Sequence, residues 1–158
     1  MICTLKLASI YDIYEKLQRD GAALDDKVTV ERVFNFTVTA YSMIEWVQND
    51  PSLPAMTKTH AIINGLRNDH WLKICGDLAT ARKYFKININ VPMPPSAPTN
   101  SGFYSGSIKA RKYGDGKVSS EIILSNGTKF QCHDLVRGVL SSWKNFFSAH
   151  SISMRAIL

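Results

Sequence analysis

The chain has 158 residues, 45% of them hydrophobic, and a formal net charge of +6. That length suits one domain over 1–158 and can bury roughly 68–70% of the unfolded chain's surface, so no covalent staple is required. Cys3, Cys75 and Cys132 are odd in number, far apart and without a CxxC pair; they argue against a disulfide framework or zinc ribbon and read as reduced core thiols in a cytoplasm.

Helical spacing of Ile10, Ile13, Tyr14 and Leu17 predicts a first helix over 4–20, ended by Gly21, with a polar connection at 22–27. The N-terminal segment lacks the apolar run of a secretory signal, and no stretch reaches the ~18 apolar residues of a membrane span. A longer helix follows over 28–49. Phe34, Val38 and Tyr41 lie on one face and Phe36, Ala40, Met43 and Val47 on an adjacent one, an arc wide enough for several neighbours. Its β-branched residues also suit a strand, but a run of this length favours a helix. Asp50-Pro51 stops it.

After a turn with two prolines, a short helix is expected over 57–66, and a further one over 70–86 with Trp71, Ile74, Cys75, Leu78 and Phe85 inward. Four prolines between 92 and 98 make 88–102 an irregular connection. Residues 103–131 read as a β-meander turning at Gly114-Asp115-Gly116 and Asn126-Gly127. A last helix over 133–149 carries a stripe of Leu135, Val136, Val139, Leu140, Trp143, Phe146 and Phe147, and the final eight residues are expected to fray. The fold class is therefore mainly α, or α+β: a helical bundle with a β-hairpin or meander inserted before the C-terminal helix.

The charge is uneven. Residues 1–50 hold 5 Lys/Arg against 8 Asp/Glu, and residues 51–158 hold 14 against 5. A basic half attracts polyanions; the plainer reading is a solvated basic face. Lys73, Arg82, Lys83 and Lys86, with Lys109, Arg111 and Lys117 of the meander, are the candidate nucleic-acid contacts. Lys109, Arg111 and Tyr113 alternate on one strand face, where charges also serve to block edge aggregation. Arg67-Asn68-Asp69-His70 is the densest polar cluster. Arg67 and His70 make a candidate phosphate clamp and acid–base group for RNA cleavage, whereas Asn68 or Asp69 alternatively caps the helix that follows. Asp77 either turns inward to order Arg82 or Lys83 or is a solvated charge. The four histidines form no HExxH or HxH pair, so no metal or cofactor is expected. Trp46, Trp71 and Trp143 read as core packing.

Three runs in order, IYDIYEKLQRD, FNFTVTAYSMIEW and DLATARKYF, resemble a bacterial family of uncharacterised proteins with the patterns YxKLxRD, FNFxVTAYHxxDW and DxxNASKHF. The resemblance spans residues 8–86, and 103–147 in pattern. The layout is also similar to the HEPN class of helical bundles, found in toxin–antitoxin and phage-defence systems. Active HEPN members are metal-independent RNases with an Arg-polar-x(3–5)-His signature, assembled across a homodimer. Asp77, Lys83, Tyr41 and Trp46 match the first family; Ser42 and Tyr84 stand where it has histidines, Glu45 where it has Asp, and Thr80 where it has Asn. Arg67-Asn68 resembles the start of the HEPN signature, but Leu72 and Lys73 stand where its His is expected. Ser, Thr and Tyr do not titrate near neutrality. The resemblance thus implies a degenerate copy that keeps the fold and a binding surface for RNA or a partner protein, with the ribonuclease as alternative.

Overall fold

The computed structural model describes residues 2–89 and 120–153. Helix α1 (Ile10–Asp26) starts at a capping box: the Ser9 hydroxyl accepts from the Asp12 amide, and the Asp12 carboxylate accepts from the Ser9 amide. The helix therefore begins six residues later than its spacing predicts and runs on through Gly21 to Asp26. Gly21 does not end it, because it lies at a crossing. A Cβ there would stand 3.2 Å from Val136 and 3.3 Å from Phe36, so the missing side chain lets two helices close on α1.

Helix α2 (Val30–Asn49) is capped by Thr29, whose hydroxyl accepts from the Arg32 amide. Val33, Phe36, Ala40, Met43, Ile44 and Val47 recur on its buried side. The face expected from the sequence over Phe34, Val38 and Tyr41 is not core: Phe34 and Val38 are exposed, as is Val30 one turn earlier, and Tyr41 is half-buried. Asp50 ends α2 and accepts the Ile10 amide at 2.9 Å, so the start of α1 lies at the end of α2 and the two pack as an antiparallel hairpin.

A 3₁₀ turn (Ala55–Lys58) leads into α3 (His60–Asn68), capped by Thr59. Helix α4 (His70–Ala79) is capped by Asp69. It stops seven residues short of the Lys86 end expected from periodicity, and Phe85 belongs to a strand, β1 (Phe85–Ile89). Strands β2 (Ser120–Leu124) and β3 (Lys129–Gln131) form the hairpin that Asn126-Gly127 announces, with Gly127 at φ 92°. The sheet is antiparallel in the order β1-β2-β3, with Ile87 opposite Ile122 and Ile122 opposite Phe130. The earlier meander and its Gly114-Asp115-Gly116 turn lie outside the described residues.

Helix α5 (Cys132–Ala149) closes the core, with Leu135, Val139 and Trp143 fully buried. One apolar cluster joins Leu17 of α1, Phe36 of α2, Leu72 of α4, Ile122 of β2 and Trp143 of α5. Beyond α5, Ser151 adopts φ 55° and the Ile152 amide returns to the Phe147 carbonyl at 2.8 Å. Ile152 is buried, so the chain is held for a few residues past the helix rather than fraying at once. The described residues are thus mainly helical with a small antiparallel sheet, and none of their helices is long and apolar enough to cross a membrane.

Candidate polyanion-binding site

The end of α4 is built by a backbone motif that its sequence conceals. Thr80 is the last cap residue, Ala81 turns left-handed at φ 63°, and the Arg82 amide donates to the Asp77 carbonyl at 2.8 Å while the Ala81 amide donates to Leu78. This is a Schellman ending, whose left-handed position glycine usually fills. Alanine is strained there. Ala81→Gly is expected to raise the unfolding free energy by about 1 kcal/mol in urea titration; a lower midpoint would count against this account of the turn.

The motif folds two cations back onto Asp77. The Asp77 side chain is only 8% exposed, and Lys83 Nζ reaches it at 2.6 Å. Lys73, one helical turn earlier, and Arg82 each stand 4.0 Å away with their side chains mostly in solvent. Three cations thus face one carboxylate. The close Lys83 pair orders the turn, while the two loose pairs contribute little to stability. They leave positive charge on the surface, that of Arg82 next to the negative pole of α4.

Strand register extends the patch. Lys86 on β1 lies opposite Ile123, which lies opposite Lys129 on β3, so both lysines project from the outer face of the sheet. Both are exposed. Lys73, Arg82, Lys83 and Lys86 therefore do not come from one helix, as the sequence implied, but from α4, its terminal turn and β1. Lys129 was not foreseen, because its place beside Lys86 depends on the pairing of strands distant in sequence. Lys109, Arg111 and Lys117 lie outside the described residues.

Arg67 and His70 go separate ways. The Arg67 guanidinium lies against α2, donating to the Tyr41 hydroxyl (3.2 Å) and to Gln48 (3.5 Å), with Glu45 at 3.6 Å. The Tyr41 ring lies over Gly76, where an added Cβ would stand 2.5 Å from it. His70 is exposed and packs edge-on against Trp71, with ring centroids 4.8 Å apart. Trp71 in turn lies over Gly138 of α5 and against Phe130 of β3. No hydrogen bond or ion pair among the described residues joins Arg67 to His70. Asp69 between them accepts from the Trp71 and Leu72 amides, both at 3.2 Å, and from the Ser142 hydroxyl at 2.8 Å. It is a helix cap that also ties α4 to α5.

Two of the polar side chains singled out from the sequence, Ser42 and Thr80, bond to their own helix. Ser42 donates back to Thr39 within α2, and Thr80 donates to the Gly76 carbonyl at 2.6 Å. Burial pushes both core thiols up, Cys132 to about 12 with the Asp25 charge adding; Asp69 adds to the rise at Cys75. Neither is a nucleophile. Cys3 is exposed rather than in the core. No cluster of His, Cys, Asp or Glu among the described residues has the makings of a metal site. The chain matches no protein-family model, no curated protein and no solved structure.

Proposed function

We propose that this chain is a non-catalytic, HEPN-like binding protein that engages RNA through the cationic rim formed by the end of α4 and the outer face of the sheet. The observation that carries this reading is the gathering of Lys73, Arg82 and Lys83 around a single buried carboxylate, with Lys86 and Lys129 on the adjoining sheet face. A phosphate backbone is the ligand class that meets such a rim most directly, because it releases counterions as it binds. The HEPN-like identity and a phage-defence or toxin–antitoxin setting are parts of the proposal that rest on the sequence resemblance, and a cytoplasmic location rests on the odd, unpaired cysteines.

Catalysis by Arg67 and His70 gains no support from their placement. Arg67 is engaged by Glu45, Tyr41 and Gln48, and His70 faces a different set of neighbours. A protein partner, including a second copy of the chain, is a second reading. The observation in its favour is the exposed apolar row Val30, Phe34 and Val38 along α2.

The test is a binding titration with a labelled RNA oligonucleotide. Four phosphate contacts would weaken binding about 50-fold between roughly 50 and 200 mM salt. Arg82→Glu with Lys86→Glu, both exposed positions, should weaken binding further and flatten the salt dependence. Absence of binding at low salt would leave the protein-partner reading alone.

A further inference from the structure

Tyr84 is 76% exposed, and among the described residues no hydrogen bond or ring contact holds its phenol. Its backbone, in contrast, is pinned. The Tyr84 amide donates to the Ser125 hydroxyl at 3.2 Å, and the Tyr84 carbonyl accepts from the Ser125 amide at 2.8 Å. These bonds continue the β1–β2 register by one residue, since Phe85 is opposite Leu124. Tyr84 therefore shares the outer sheet face with Lys86, two residues on and about 7 Å away along the strand. Arg82 and Lys83 precede it, the first 67% exposed at its side chain and the second held on Asp77.

A lone exposed aromatic is ordinary on a protein surface. Here the ring stands on a hydrogen-bonded strand end, directly after Arg82 and Lys83 in the chain and on the sheet face of Lys86, with Lys129 beyond Lys86 across the sheet. A phosphate backbone running past Arg82, Lys83 and Lys86 brings its bases over the ring between them. Every base offers a π face, so stacking of this kind is strong and tolerant of sequence. A duplex keeps its bases stacked on one another and offers the ring nothing. We infer that Tyr84 is a base-stacking residue and that the nucleic acid this surface takes is single-stranded. The inference rests on the polyanion-binding reading above and adds to it the strandedness of the ligand and the residue that selects it.

The experiment measures Kd of the full chain and of its Tyr84→Ala and Tyr84→Trp variants for one RNA oligonucleotide, for the same oligonucleotide annealed to its complement, and for polyglutamate, all at one low salt concentration. Tyr84→Ala is expected to weaken single-strand binding about 5- to 150-fold, the effect of losing one stacked base. Duplex and polyglutamate binding should change less than twofold, and Tyr84→Trp should keep single-strand affinity with its added fluorescence quenched on binding. Single-strand affinity unchanged in Tyr84→Ala overturns the inference and leaves the polyanion reading standing. The inference also falls if all three probes weaken equally, or if Tyr84→Trp loses as much affinity as Tyr84→Ala. If the unaltered chain binds none of the probes, the underlying reading fails and the inference fails with it. The exposure of Tyr84 makes misfolding of these variants a matter of a simple melting control.

Discussion

Trp143→Ala is expected to lower the unfolding free energy by about 3–5 kcal/mol, the cost of truncating a buried Trp to Ala. Trp143 has no exposed surface. Its ring meets Phe146 edge-on at 5.5 Å and lies 5.9 Å from Phe147, which meets Tyr14 of α1 at 5.1 Å. Its Nε1 donates to the Ala40 carbonyl at 3.3 Å. One side chain thus fills the space between α5 and α2 and bonds across it. A domain of this size has a total stability of roughly 5–15 kcal/mol, so a large part would be lost, seen as a fall in Tm of roughly 6–20 °C. Trp143→Phe should keep most of the packing and lose the hydrogen bond, for a smaller effect of about 1–2 kcal/mol. Urea titration of both variants checks the order; an alanine variant within 1 kcal/mol of the original would mean that α5 does not hold the core.

The helices were legible where local chemistry decides them. Asp69 before an apolar helical repeat caps α4, and Asn126-Gly127 turns the β2–β3 hairpin, whereas Thr29, read as part of a helix over 28–49, proves to be the cap of α2. Two errors have one origin. Gly21 reads as a terminator from sequence, yet its smallness serves contacts with Val136 and Phe36 that no local window contains. Conversely, α4 ends at a left-handed alanine, Ala81, so the usual glycine signal is missing, and Leu78 and Phe85 mimic one helical stripe across the break. The site inherited that second error. Asp77 and its basic neighbours were visible together, because they are close in sequence. The membership of Lys86 and Lys129 in one sheet face, and the outward display of Tyr84, follow from the β1–β2–β3 register, which is non-local. The exposure of Phe34 and Val38 was hidden for a similar reason: a helix pattern shows which residues share a face and not how many faces are covered.

Asp50→Ala is expected to destabilise the chain by about 2–3 kcal/mol at neutral pH, the second largest effect of a single substitution proposed for this fold. The residue is 6% exposed. One carboxylate oxygen accepts the Ile10 amide at 2.9 Å, and the other accepts the Ser52 amide at 2.8 Å and the Ser52 hydroxyl at 2.6 Å. The Ile10 amide belongs to the first residue of α1 and has no partner within its own helix. Alanine at 50 would leave it buried and unbonded while removing a negative charge from the positive pole of α1. Burial alone would push the Asp50 carboxyl up; the Ser52 hydroxyl, the Ile10 and Ser52 amides and the Lys58 charge outweigh it and hold the group below the usual carboxylate range. A folded-state value below the unfolded one gives stability that is fully present above the unfolded pKa, about 4, and is lost as pH falls through the folded value. The original chain should therefore lose stability on the acid side of about pH 4, and Asp50→Asn should lose less of it there, being already weaker at pH 7. Equal acid-side losses in the two proteins would place the titrating group elsewhere, the capping Asp12 carboxylate being the next to examine, since the Ala8 amide bond lowers it too. Because Asp50 joins the end of α2 to the start of α1, proton uptake there acts on the register of the whole α1–α2 hairpin, on which α4 and its cationic rim are packed.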